Sequence, residues 1–198
     1  MKTIKFLSLA LITGLFAVSC SSDDNDPEEV NEEEVITTMT ITLSPQGGGT
    51  DIVLESKDED GDDGPEDPVI TVSGNLAANT TYNGSVALLN ETETPAEDVN
   101  EEIEGEAAEH QFFFVVGGGL NATTAYDDEE SDYVSAETGT NFTTDNPVGI
   151  EFTLTTTDAS TGTLTVTLRH EPKKPNDGTL ADAGGETDIT QTFNLTVE

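Results

Sequence analysis

The sequence predicts an all-β fold, an antiparallel immunoglobulin-like β-sandwich of about 7–9 strands with one short helix. Apolar residues alternate with polar ones, often threonines, in short runs, which is the pattern of half-buried strands. Turn sequences rich in glycine, asparagine and aspartate separate these runs. Residues 35–198 are enough for one domain with a real hydrophobic core, so we expect a single β-sandwich domain there.

The first predicted strands lie between residues 39 and 89. Residues 39–43 and 52–54 alternate on either side of the glycine-rich turn at 44–49, which predicts a hairpin. Residues 69–72 form a short apolar run and predict a third strand. Residues 82–89 alternate again and predict a fourth.

The later strands include one unbroken apolar run. Residues 112–116 are apolar at every position, which predicts a central strand buried on both faces. Residues 150–154 and 164–168 alternate on either side of a turn at 158–162 and predict a second hairpin. The last strand is expected over residues 189–197.

A short helix is expected between the two halves of the strand pattern. Residues 94–97 read Thr-Pro-Ala-Glu, the pattern of a capping box with proline at the first helical position. Val99 and Ile103 follow four residues apart and would pack on the sandwich before Gly105 ends the helix.

The N-terminus has the features of a secretory signal. Lys2 and Lys5 precede an apolar run over residues 6–18, which is shorter than the roughly 20 residues of a membrane-spanning helix. The run ends before Cys20, the single cysteine, so we expect cleavage after residue 19 and lipid (diacylglycerol and palmitate) on Cys20. The alternative is a plain secretory peptide with an incidental cysteine. Residues 20–34 are acidic and polar and predict a flexible linker.

The charge of the chain excludes nucleic acid as a partner. Residues 1–19 hold two of the 6 basic residues and none of the 41 acidic ones, so the remaining chain carries a formal charge of −37. This field repels phosphates and anionic membrane surfaces and favours cations.

The motifs AVSC at 17–20, SSDD at 21–24, TYNGS at 81–85 and EHQFFF at 109–114 resemble small Bacteroidetes lipoproteins. That group is filed as the type 1 periplasmic binding fold superfamily. The resemblance implies an outer-membrane lipoprotein that faces the periplasm or the cell surface. The group's name implies parallel α/β sheets, whereas the residues of this chain predict an antiparallel sandwich.

The two histidines of the chain are the first candidate site. His110 opens one predicted strand after Glu109, and His170 closes another before Glu171. If the strand ends meet, with ring nitrogens within about 4 Å, these four residues can hold zinc or another divalent metal. The alternative is that each histidine is a separate surface or capping residue.

An acidic loop is the second candidate, for calcium. Asp58, Asp60 and Asp62 have the spacing that begins an EF-hand loop. Asp63 stands where that loop needs glycine, however, and Val69 where it needs glutamate. A solvated loop is the favoured alternative.

Two further charged clusters complete the candidates. The five acidic residues within 127–132 form a second loop with the same two interpretations, solvated or calcium-binding. Arg169, Lys173 and Lys174 hold three of the four basic charges outside the signal, and we expect them to pair with acids of the same chain.

The sequence favours a non-catalytic function. It has no nucleophile elbow, phosphate loop or paired-histidine helix. One hypothesis is a lipoprotein that captures a divalent metal or small ligand for an outer-membrane, TonB-dependent transporter. The alternative is a structural or adhesive surface module whose acidic loops bind calcium.

Overall fold

The computed structural model describes residues 35–59, 64 and 67–198, which form two antiparallel sheets. The strands are Thr38–Pro45 (β1), Ile52–Lys57 (β2), Val69–Val72 (β3), Thr81–Asn90 (β4), Glu97–Asp98 (β5), His110–Gly117 (β6), Ala122–Tyr126 (β7), Glu151–Thr156 (β8), Ser160–His170 (β9) and Glu186–Val197 (β10). The helices are Asn100–Gly105 (α1) and Leu180–Ala183 (α2), with a 3₁₀ turn at Glu130–Asp132.

The larger sheet has the order β3-β2-β1-β4-β8-β7, with β5 paired to the end of β4. The smaller sheet has the order β10-β9-β6. Every pairing between these strands is antiparallel. The prediction of an all-β antiparallel sandwich is therefore confirmed, with ten strands in the described residues rather than seven to nine. The parallel α/β arrangement implied by the name of the resembled group is not the fold of these residues.

The core lies between the two sheets and follows the alternation in the sequence. Met39, Ile41 and Leu43 of β1 are fully buried, while the threonines between them are more exposed or lie nearer the rim. Leu164, Val166 and Leu168 of β9 are fully buried in the same cluster. Burying a side chain of this size contributes about 1.5–3 kcal/mol relative to exposure, so this cluster is the main source of stability.

The predicted hairpin over residues 149–170 is wrong in its pairing. β8 and β9 form where expected, but β8 pairs with β4 and β7 in the larger sheet, whereas β9 pairs with β6 and β10 in the smaller one. The connection at residues 157–159 therefore carries the chain from one sheet to the other. A side chain at Gly162 would collide with the backbone of Leu120 and Gly117, so the crossing is closely packed.

The apolar strand β6 is an edge strand and not a central one. It pairs only with β9 in the smaller sheet. Phe112 and Phe113 are both buried, but Val115 is 48% exposed. On its free side, the N–H of Phe112 donates to the carbonyl of Val148 at 2.7 Å, so a loop segment covers the edge that the sequence placed inside a sheet.

The predicted capping box does not start the helix. Glu97 and Asp98 instead form β5, paired with Asn90 and Leu89 at the end of β4. The helix begins at Asn100, with Val99 in the cap position and no side-chain cap. Backbone pairing with β4 replaces the first helical turn.

The predictions for the signal peptide at 1–19 and the linker at 20–34 lie outside the described residues. The residues described from Val35 onward belong to one compact unit. Within the described ranges, neither α-helix has the length and apolar character that a membrane crossing needs.

Candidate functional site: a cross-strand histidine pair

The two histidines meet at one end of the smaller sheet. β6 and β9 pair in a register that places His110 directly opposite His170. The same register sets Phe112 against Leu168, so each histidine continues a row of buried residues on its own strand. The structure therefore brings together the two residues that the sequence analysis singled out.

The histidine rings are stacked and buried. Their centroids lie 4.6 Å apart with 18° between the ring planes. His110 is 0% exposed and His170 8%. Nδ1 of His110 contacts the carbonyl oxygen of Glu106 at 3.4 Å, and its buried Nε2 has no hydrogen-bond partner among the described residues. An unpartnered buried ring nitrogen is unusual, because buried polar atoms are nearly always paired.

Carboxylates approach the pair from two sides. Glu106, His110 and His170 each offer a ligand atom within 4.8 Å of the others, and so do Glu109, His170 and Glu171. His170 belongs to both sets. Among the residues that the structure describes, these are the two sets of three or more candidate metal ligands that lie this close together.

Glu106 is the residue that the sequence analysis did not choose. It caps the C-terminal end of α1, and its carboxylate lies 4.0 Å from Nδ1 of His110. The four-residue spacing from Glu106 to His110 was the available signal. It was not used because the predicted helix ended before Glu106.

A backbone contact joins Glu109 and Glu171, the two acidic residues of the second set. The N–H of Glu171 donates to the carbonyl of Glu109 at 2.7 Å and continues the β6–β9 pairing past the histidines. Glu171 has a positive φ of 48°, so the chain turns sharply after His170. Gly185 packs against this turn with φ of 71°, and a side chain there would collide with the carbonyl of His170.

Burial keeps His110 in the form that binds metals. Desolvation, and after it the proximity of His170, lower the pKa of His110 from 6.5 to about 4. The ring is therefore neutral at neutral pH. A metal ligand must be neutral imidazole, so no proton has to be displaced from His110 on binding.

The stacked arrangement must change slightly to hold one ion. Ring lone pairs lie in the ring planes, and two nearly parallel planes do not point their lone pairs at one point. Zinc bonds of about 2.0–2.1 Å also need ligand atoms closer together than the 4.8 Å limit that describes each set. Binding of one ion therefore requires one of the two rings to rotate out of the stack.

The first acidic loop lies only partly within the described residues. Asp60 and Asp62 fall outside them. Asp58 directly follows β2, and its N–H donates to the carbonyl of Thr37 at 2.8 Å, so its backbone extends the pairing of the strand. The calcium interpretation of Asp58, Asp60 and Asp62 stays a prediction.

The second acidic loop is not simply solvated. Asp128 is 7% exposed and accepts from the N–H groups of Gly149 and Glu151 and from the hydroxyl of Tyr133. Glu130 is 1% exposed and is bound by other side chains. Around them, Tyr126, Pro147 and five acidic residues between Asp127 and Asp145 line an open pocket of about 340 Å³.

Two of the three residues of the basic cluster pair with acids of the chain, as expected, whereas Arg169 contacts a backbone carbonyl in the described residues. Lys173 contacts Asp182 at 2.8 Å on the surface, and Lys174 contacts Glu130 at 3.1 Å with both side chains buried. Arg169 donates to the carbonyl of Gly185 at 3.1 Å. These residues therefore join the segment after β9 to its neighbours.

Comparisons with protein-family models, with curated proteins and with solved structures gave no match.

Proposed function

We propose that this chain is a lipid-anchored outer-membrane lipoprotein that binds a divalent transition metal and delivers it to a TonB-dependent uptake system. The observation that carries the proposal is the cross-strand pairing of His110 with His170, with Glu106, Glu109 and Glu171 beside them. The protein is a binding module and not an enzyme. The lipid anchor at Cys20 and the transport partner rest on the sequence alone.

The ligand set favours zinc, copper or nickel over calcium. Imidazole nitrogens suit first-row transition metals, whereas calcium prefers six to eight oxygen ligands. The strongly negative field of the chain raises the local concentration of any cation. This field attracts all cations alike. The two imidazoles supply the selectivity for transition metals.

Equilibrium titration with zinc tests the metal site. The protein is the chain from residue 20 onward, carrying Cys20→Ser so that it is not acylated. His110→Ala and His170→Ala should each lower zinc affinity at least tenfold, and Glu106→Gln should lower it less. Glu101→Gln is the matched control, because Glu101 is an exposed carboxylate in the same short helix. Unchanged zinc affinity in both histidine variants would reject the site.

A second function is supported by the acidic pocket. In this alternative the protein is a structural or adhesive surface module, and calcium stabilises the loops around residues 127–147. The five pocket carboxylates favour it. Its expected signature is a melting temperature that rises with calcium in a chain without measurable affinity for zinc.

A further inference from the structure

A buried amine, a carboxyl group and a carboxamide meet beside the larger sheet. Lys174 Nζ lies 3.1 Å from Oε1 of Glu130, and their side chains are 5% and 1% exposed. Nδ2 of Asn146 donates to Oε2 of the same carboxyl group at 3.0 Å. Glu130 thus bridges the lysine amine and the asparagine amide. The histidine site does not use any of the three.

The surroundings fix the orientation of each group. The hydroxyl of Thr144 donates to Oε2 of Glu130, and the N–H of Glu130 donates to the carbonyl of Asn146 at 2.9 Å. Lys174 Nζ also donates to the carbonyl of Ala107 at 2.6 Å. Reacting groups held in this way have a high effective concentration.

Burial favours the neutral form of Lys174. A charged amine in a site with little water costs several kcal/mol of desolvation, only partly offset by the facing carboxylate. Desolvation accordingly lowers the pKa of Lys174, against the opposing attraction of Glu130. Transfer of one proton from Lys174 to Glu130 yields a free amine, which is a nucleophile, and a carboxylic acid, which is a proton donor.

We propose that Lys174 and Asn146 form an intramolecular amide cross-link, with Glu130 as the proton carrier. The lone pair of Lys174 Nζ attacks Cγ of Asn146, and the bond between Cγ and Nδ2 breaks. Glu130 gives its proton to the departing nitrogen and takes one from Nζ, so that ammonia leaves and the carboxyl group ends as it began. No oxidant or cofactor takes part. The remaining N–H of the new amide can still donate to Ala107.

The cross-link would stabilise this fold as a disulfide stabilises other proteins. Cys20 is the one cysteine of the chain, so no intrachain disulfide can form. An amide between Asn146 and Lys174 closes a covalent loop that contains β8 and β9, the strands that carry the chain from one sheet to the other. Closing a loop of this size stabilises by restricting the unfolded chain.

The intact mass of the purified protein tests the proposal. The chain from residue 20, with Cys20→Ser, is expected to be lighter than its calculated mass by one ammonia molecule. Tryptic digestion should give one branched peptide that joins Lys174 to Asn146. Mapping is needed because an asparagine such as Asn83, before Gly84, can also lose ammonia by closing a succinimide ring. Asn146 cannot do so through the next residue, because Pro147 has no N–H.

Matched variants identify the reacting groups. Lys174→Arg keeps the cation and Glu130→Gln keeps the shape of the carboxyl group, and both should restore the full calculated mass. Lys173→Arg is the control, because Lys173 pairs with Asp182 at the surface, and it should retain the loss of ammonia. A parent chain of full calculated mass after prolonged incubation would overturn the cross-link. Loss of water, mapped to Lys174 and Glu130, would overturn Asn146 as the acceptor.

Discussion

His110 is the residue whose protonation depends most directly on the fold. The folded protein protonates it at a pKa of about 4, while an exposed histidine does so near 6.5. The groups that face its ring are His170, the carbonyl and carboxylate of Glu106, and more distantly Lys174. The burial of a neutral ring, more than any one partner, sets this difference.

We therefore expect His110 to reduce stability in acid. Between pH 6.5 and 4 the unfolded chain binds a proton at His110 that the folded chain does not. The stabilisation that the neutral, buried ring of His110 gives to the folded state is complete above pH 6.5. It is lost as the pH falls toward 4. Chemical unfolding at pH 7 and 5 should show a loss of about 2 kcal/mol from this residue. In His110→Gln, the loss of unfolding free energy between pH 7 and 5 should be smaller by about 2 kcal/mol. Equal losses in the variant and in the parent protein would contradict the assignment of this loss to His110.

Period-two alternation is the reason that part of the candidate site could be predicted from the sequence. His170 continues the inward parity of Leu164, Val166 and Leu168, so its burial on the core face follows from period-two alternation. That His110 would lie opposite it did not follow, because the register of β6 against β9 is set by long-range packing. Glu106 was missed because it follows the end of the helix at Gly105, where neither helical nor strand periodicity indicates the direction of its side chain.

At the scale of elements, the alternation of apolar and polar residues predicted well which face of each strand is buried. It predicted poorly which strands pair with each other. β8 and β9 each turn an apolar row toward the core, and a tight turn joins them, which is equally true of a hairpin and of two strands in facing sheets. The strands that pair with β8 and β9 are decided by which neighbouring strands pack against them without collision. Gly84 of β4 shows how: it pairs with Phe152 of β8 and leaves room for that ring.

Gly84→Ala should therefore weaken the joint between β4 and β8. A methyl group at position 84 would lie 2.5 Å from the ring of Phe152, which also stacks on Phe114 at 4.1 Å between centroids. The ring cannot move away freely, so we expect a loss of about 1–3 kcal/mol in the free energy of unfolding. Gly47→Ala, at a position with no atom within 4 Å of the added carbon, is the matched control and should change stability little. Equal effects in urea unfolding would show that the strand joint tolerates the methyl group.

At the scale of the whole molecule, the sequence predicted the all-β class because period-two alternation recurs from one end of the domain to the other. One face of each strand must be covered, and two stacked sheets cover both sets of faces with one core. Charge acts on the same scale. A formal charge of −37 beyond residue 19 opposes compaction, and the large shared core offsets this repulsion.

The last prediction concerns attachment of the whole chain to a membrane. If Cys20 carries acyl chains, the mature protein should sediment with outer membranes and take up labelled palmitate, since several acyl chains hold far more tightly than one. Cys20→Ser should remove the label and release the chain into the soluble fraction. Ser19→Thr is a milder control, because it leaves the thiol in place and should keep some label. Membrane retention of the Cys20→Ser protein without label would show that the chain is held by a partner and not by lipid.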